Sequence, residues 1–411
     1  MTYSHARILI MKPNSMFLPL PLGFLASGVH AGLKTGKKLD MALFYSRFPA
    51  STVGLVTTNK VKAPPARHTE KALKRGVKVQ AVVVNTKNAN ALTGKQGEKD
   101  VQKTAALAAK LLGLPKASVL AHSTGVIGVP LPMPKILAGV RQAVLRLSRR
   151  GGMDAANGIL TTDTFPKTSA RPLWIGGRNA WLTGFAKGSG MIHPNMATML
   201  VYLLTDLDIS RNLLQAALKE AAEPSFHRIT VDGDVSTNDS VLLMANGACG
   251  NKPITTKGAD YRAFAKALRE VCLDLAKAVV RDGEGATKFV SITVQGAKTG
   301  ADAYRAAMAV AKSPLVKTAL FGADPNWGRV LAAVGYSGAA VDESKASVKI
   351  GGYLLYNGGK KLSWSREKLK KILSHKDVDI VVDLGLGKAK DWIYTCDLSD
   401  GYIDINGRYT T

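Results

Sequence analysis

The sequence predicts a mixed α/β fold. Short apolar runs such as MLVYLL (residues 199–204) have the length and β-forming side chains of buried strands. Between such runs lie segments whose apolar residues recur with helical spacing. The clearest covers residues 260–280, where Phe264, Leu268, Val271 and Leu275 make one stripe. No Gly-x-Gly-x-x-Gly follows a strand, so the chain is not a Rossmann unit. With 411 residues it can bury a large core, as two domains or one large α/β body.

Taken in order, residues 22–46 are punctuated by Gly23, Gly28, Gly32 and Gly36 and read as a turn-rich pair of strands. Residues 51–59 and 78–85 alternate or run apolar as strands, the second ending in the polar cluster Asn85, Asn88 and Asn90. Helical spacing takes over at 101–112 and is stopped by Gly113 and Pro115. VLAHSTGVIG (119–128) is a strand ending at a glycine turn. There the Thr124 hydroxyl and the backbone N–H groups offer the material of an oxyanion hole, although a Thr-Gly pair alone reads as a simple turn. His122 and Ser123 adjoin, but with no identifiable acidic partner they do not read as a base and its nucleophile. Residues 134–147 form a basic amphipathic helix with Ile136, Val140, Val144 and Leu147 on one face. ILTTDTFPK (159–167) reads as a strand running into a polar turn, and a further strand covers 172–175.

After the strand at 199–204, a helix covers 210–222. ITVDGDVSTNDS (229–240) carries three acids but lacks the glutamate and the spacing of an EF-hand. The helix of 260–280 stops at RDGEG (281–285), where Glu284 stands between two glycines, either as a solvated turn acid or close enough to a site to bind an amine. A strand at 289–294 and a helix at 301–310 follow. In FGADPNWGR (321–329), Asp324 and Asn326 read as loop-ordering residues. A helix at 329–334, a strand at 348–356, a basic helix at 366–373 and a strand at 378–384 complete the body.

Composition is ordinary for a globular protein, 46% hydrophobic with a mean hydropathy of +0.03. No apolar run approaches the roughly 20 residues of a membrane-spanning helix. The first residues look faintly signal-like, but Pro13, Pro19 and Pro21 break their apolar stretches and no small-residue cleavage site follows. We read a cytoplasmic protein with a ragged leader. Three cysteines (Cys249, Cys272, Cys396) are too few and scattered for a disulfide framework or a zinc site, and the histidines lack metal-ligand spacing, so no metal is expected. The net charge is +26, and it is lopsided: residues 1–197 hold 28 Lys+Arg against 6 Asp+Glu, residues 198–411 hold 28 against 24. Such a basic half reads first as a solvated surface, then as steering of acidic small molecules, and last as nucleic-acid binding, since no nucleic-acid motif accompanies it.

The organising stretch is KGSGMIHPNMATMLVYLLTD (187–206). A loop punctuated by Gly188, Gly190 and Pro194 runs into the strand at 199, and Thr198 stands at the junction. A strand end fixes a side chain and a loop admits substrate, which suits a nucleophile; on local features alone it is a threonine opening a strand. The segment GFAKGSGMIHPNMATML (184–200) resembles the self-cleavage site of the ornithine acetyltransferase family of arginine biosynthesis. The likeness covers residues 16–411 and leaves out 1–15. It runs through STGVIG (123–128), ILTTDT (159–164), DGDVSTND (232–239), DGEGATK (282–288), FGADPNWGR and the closing INGRYTT (405–411), in the family's order. Val235 and Gly407 replace the usual threonine and alanine, both mild departures.

The resemblance implies a self-cleaving, N-terminal-nucleophile-like fold of layered sheets and helices. It implies a cut between Ala197 and Thr198, giving chains 1–197 and 198–411 that remain one body. Thr198 would be the nucleophile and Thr124 and Gly125 the oxyanion hole, with Thr161, Lys187, Glu284, Asn406 and Thr411 as further substrate contacts. Lys187 would meet a carboxylate, a role suited to a compact point charge. The implied reaction moves an acetyl group from N2-acetylornithine to glutamate through acetyl-Thr198, giving ornithine and N-acetylglutamate. It needs no cofactor, with acetyl-coenzyme A as a further candidate donor, and the implied assembly holds two copies of each chain. Two rival readings are an amidase or aminopeptidase on a related self-cleaving scaffold, which would give the acyl group to water, and a basic nucleic-acid-binding protein, which would show steep salt dependence.

Overall fold

Two β-sheets with helices packed on them make up the computed structural model, which describes residues 18–193 and 199–408. The first sheet is built from β1 (Phe24–Val29), β2 (Met41–Val56), β3 (Val79–Asn85), β4 (Val119–Ser123), β5 (Lys167–Ile175), β6 (Arg178–Lys187), β7 (Leu200–Thr205) and β8 (Ser240–Ala245). Its order is β4-β3-β2-β8-β7-β6-β5, with β1 pairing β2. Helices α1 (Pro64–Lys74), α2 (Gly94–Leu112), α3 (Met133–Leu145), α4 (Gly152–Gly158), α5 (Arg211–Ala222) and α6 (Ala259–Arg281) cover it.

In this sheet β3 with β4 and β7 with β8 pair in parallel, and α2 and α5 lie in their connections, as parallel pairing requires. All six residues of β7 are buried. Val201 and Leu203 pack into the cluster that holds α5 and α6, while Leu200, Tyr202 and Leu204 pack on the other face with Phe44 and Phe185. Burial on both faces explains why this strand is a continuous apolar run rather than an alternating one. The stripe Phe264, Leu268, Val271 and Leu275 of α6 is fully buried, as expected.

The second sheet comprises β9 (Phe289–Ala297), β10 (Ser347–Ile350), β11 (Tyr353–Asn357), β12 (Lys360–Lys361), β13 (Asp377–Asp383) and β14 (Ala389–Cys396), in the order β12-β11-β10-β13-β9-β14. Around it lie α7 (Gly300–Lys312), α8 (Pro314–Phe321), α9 (Trp327–Gly335) and α10 (Arg366–Leu373), while α11 (Asp400–Gly407), at the end of the described chain, packs beside Gly285. Arg228, in the connection between α5 and β8, reaches Asp391 of β14 at 2.8 Å, tying that connection to this sheet.

Several elements differ from the sequence expectation. Of the strand pair expected at 22–46, the first is β1, while the second and the strand expected at 51–59 are one 16-residue strand, β2. Its residues 41–45 pair with β3, the register shifts between Tyr45 and Ala50, and residues 51–56 pair with β8. Residues 159–166 are turns rather than a strand, because Asp163 takes up the N–H of Thr161 while Thr162 and Thr164 bond Ser189 and Asp282 of other segments. The strand expected at 348–356 is the hairpin β10–β11, turned by Gly351 and Gly352 at φ 56° and 82°. Strands β6, β8 and β14 were not anticipated; β6 opens on the polar pair Arg178 and Asn179 and is interrupted by Gly184, which hides its period. Among the described residues no helix is long and apolar enough to cross a membrane.

Candidate active site

A pocket of about 300 Å³ opens beside the first sheet, and its lining comes from eight separated stretches of sequence. Thr124 and Gly125 arrive on the turn after β4, Thr161 on the turns after α4, Lys187 at the end of β6, Glu284 on the turn after α6 and Asn406 on α11. Each was assigned to the site by the sequence, and the fold brings all six together. Ala197, Thr198 and Thr411 lie outside the described residues. Met199, the residue after Thr198, does line the pocket.

Gly125 sits at φ +130°, and a Cβ there would fall 2.2 Å from the carbonyl of Lys87, so the turn requires glycine. The amides on either side are fixed, Thr124 N–H on the Asn85 carbonyl at 3.0 Å and Val126 N–H on that of Lys87 at 2.9 Å. Lys187 is buried, and its Nζ donates to Thr124 Oγ1 at 3.2 Å. Burial lowers the pKa of Lys187; Asp163 opposes that, as do Asp239 and Glu284, while Lys167 adds to it.

At the other end, Glu284 is set by its own backbone and by its neighbours. Its N–H donates to the Ser189 carbonyl at 2.8 Å, and Asn406 Nδ2 donates to its Oε2 at 2.8 Å. Gly190 lies directly against the carboxylate, where a Cβ would meet Oε2 at 2.2 Å. Gly285, at φ +67°, lets α11 approach so closely that a Cβ would stand 2.3 Å from Tyr402 N.

Sequence reasoning placed the segment from Ser236 to Asp239 within a family motif and set aside a calcium loop, but gave it no part in the site. It lines the pocket in front of β8. Asn238 Nδ2 donates to the carbonyls of Ala89 (2.6 Å) and Ser123 (2.9 Å), pinning two loops of the site. Burial drives the Asp239 carboxyl well above the usual carboxylate range, and among the described residues its Oδ2 has no hydrogen-bond partner. The signal was a run of buried polar residues leading into an apolar strand. Among the described residues no group of three or more His, Cys, Asp and Glu is arranged to hold a metal.

His122 and Ser123 point to opposite sides of β4, as neighbours on a strand must. The His122 ring bonds Thr69 Oγ1 at 2.8 Å and the Tyr202 hydroxyl at 2.9 Å, while Ser123 Oγ donates to Asn85 Oδ1 at 2.7 Å. They are not a catalytic pair. Burial, helped by nearby His68, holds the His122 pKa down to about 3. Its folded-state value lies below the unfolded value of about 6.5, so its contribution to stability is complete above that pH and is lost as pH falls toward the lower value. The urea midpoint should therefore drop on acidification through this window, and His122→Gln should flatten that part of the pH dependence.

The chain matches the model of the ArgJ family over residues 25–411. A protein of Symbiobacterium thermophilum named "Arginine biosynthesis bifunctional protein ArgJ" is 49% identical over 394 residues, 95% of this chain and 98% of its own. Its namesake in Geobacter sulfurreducens is 47% identical over 391 residues, 95% of this chain and 99% of its own. A crystal structure of the arginine biosynthesis bifunctional protein of Bacillus halodurans is 40% identical, covering 50% of this chain and 97% of that one with a TM-score of 0.48.

Proposed function

This chain belongs to the ArgJ family, and from that premise we propose that it transfers an acetyl group from N2-acetylornithine to glutamate through acetyl-Thr198. The observation that carries the reading is the convergence of Thr124, Gly125, Thr161, Lys187, Glu284 and Asn406 on one pocket that Met199 also lines. Cleavage between Ala197 and Thr198, by attack of the Thr198 hydroxyl on the preceding carbonyl, an N-to-O acyl shift and hydrolysis, frees an α-amine. Such an amine has a reference pKa near 8, so at neutral pH a fraction is uncharged and takes the proton of its own hydroxyl.

The alkoxide attacks the acetyl carbonyl, and the Thr124 hydroxyl and Gly125 N–H hold the oxyanion. The ornithine nitrogen leaves with the proton from the α-ammonium. The amine of glutamate then attacks the acetyl ester by the same steps in reverse. Lys187 meets a substrate carboxylate, Glu284 and Asn406 meet an amino group, and Thr161 and Thr411 complete the contacts. Acetyl-coenzyme A is an alternative donor in the first half, and no cofactor takes part. We place the enzyme in the cytoplasm as two copies each of chains 1–197 and 198–411.

Intact mass under denaturing conditions tests the reading. The expected result is two chains parted at Ala197–Thr198, the second gaining one acetyl group on incubation with N-acetylornithine and losing it to glutamate. An acetyl group that passes to water equally well with or without glutamate would instead make the protein an amidase. Gly190→Ala should push the Glu284 carboxylate out of place and raise KM for N-acetylornithine about 10- to 100-fold, the worth of a charge-assisted hydrogen bond. Steady-state kinetics checks it, with kcat changing less than KM.

A further inference from the structure

Directly behind Lys187 lies a buried ionic chain that the reaction scheme does not use. Lys167 Nζ bridges Asp163 Oδ1 at 2.7 Å and Asp282 Oδ2 at 2.5 Å, with the Lys167 and Asp163 side chains fully buried and that of Asp282 2% exposed. Asp163 Oδ1 also accepts the N–H of Gly188 at 2.7 Å, and Oδ2 accepts the N–H of Thr161 at 2.8 Å. Asp282 accepts the N–H of Thr164 at 3.0 Å and directly precedes Gly283 and Glu284. One chain of charges thus fixes the backbones that carry Thr161, Lys187 and Glu284.

The charge balance is the informative part. Two carboxylates around one ammonium leave an excess negative charge in a dry interior, and such a group is tolerated only when a further cation faces it. Lys187 faces it from the pocket and Lys34 from the loop before β2. We infer that Asp163, held in place by Lys167, is a positioning residue that keeps Lys187 charged and so sets the pH range over which the pocket binds a substrate carboxylate. The inference rests on the reading that Lys187 contacts that carboxylate.

The groups that face Lys187 are Asp163, Asp239 and Glu284, which favour its charge, and Lys167, which opposes it. Lys34 opposes it from the loop before β2, where its Nζ donates to the carbonyls of Leu39 (3.0 Å) and Leu160 (2.7 Å). Burial pulls Lys34 itself down to about 8, against the attraction of Asp40 and Asp163. Lys34 does not line the pocket, so it can be neutralised without touching the substrate.

The test is the pH dependence of KM for glutamate. In the wild type KM should rise on the alkaline side as Lys187 loses its proton. Asp163→Asn should move that rise to lower pH by about 1–3 units, the usual effect of an opposite charge at 4–6 Å, with kcat changing less at low pH. Lys34→Gln should move it the other way. Opposite displacements are something a merely structural role would not produce, and the Lys34 arm remains decisive if Asp163→Asn fails to fold. Unmoved profiles, or two shifts of the same sign, would overturn the inference. Lys187→Met separates the two levels: if it leaves KM for glutamate unchanged, the carboxylate contact itself is wrong.

Discussion

Thr198→Ala is expected to give a single uncut chain that transfers no acetyl group. Alanine has neither the hydroxyl that attacks the Ala197 carbonyl nor the one that would carry the acetyl group, so cutting and transfer are lost together. Thr198→Ser keeps a hydroxyl and should still cut and transfer, at reduced rates. Denaturing mass analysis reports the cut, and a paired assay of ornithine release reports the transfer. A cut alanine variant would sink the self-cleaving threonine account.

The second large effect is expected at Thr124→Val, which keeps the shape of the side chain and removes its hydroxyl. That hydroxyl accepts from the buried Lys187 ammonium at 3.2 Å. A hydroxyl so polarised is a stronger donor to an oxyanion, because hydrogen bonds in a chain reinforce one another at low dielectric. Loss of one oxyanion donor costs about 10²–10³ in kcat. The variant should show that loss with KM little altered, and single-turnover acetylation of the second chain is the direct measurement. A KM effect alone would move Thr124 from the oxyanion hole to the substrate contacts.

Local periodicity was enough for residues 78–85, 199–204 and 260–280, where burial is strong and the pattern unbroken. It failed where tertiary partners decide the structure. ILTTDTFPK reads as a strand running into a polar turn, yet it forms turns in which Lys167 and Asp163 are among the most buried of the described charges, because Asp282 arrives from more than a hundred residues away. No spacing rule contains that information. The same holds for Thr124, Lys187, Glu284 and Asn406, whose convergence depends on the order of strands and on α11 packing beside Gly285. The sequence pointed to them through motifs shared with a family, and to Asn238 and Asp239 only as part of such a motif.

The strand order bears on how such a protein can be made at all. The pair β7–β8, from the later part of the chain, is inserted between β2 and β6, from the earlier part. Synthesised apart, the earlier part would show bare hydrogen-bonding edges along residues 51–56 and along β6, and the later part would show both flanks of its central pair, which is the condition for aggregation. Continuity between residues 193 and 199 therefore serves assembly, and it becomes dispensable only once β7 and β8 are seated. The proposed scission at Thr198 would thus follow the seating of these strands, and each active copy would descend from one intact translation product.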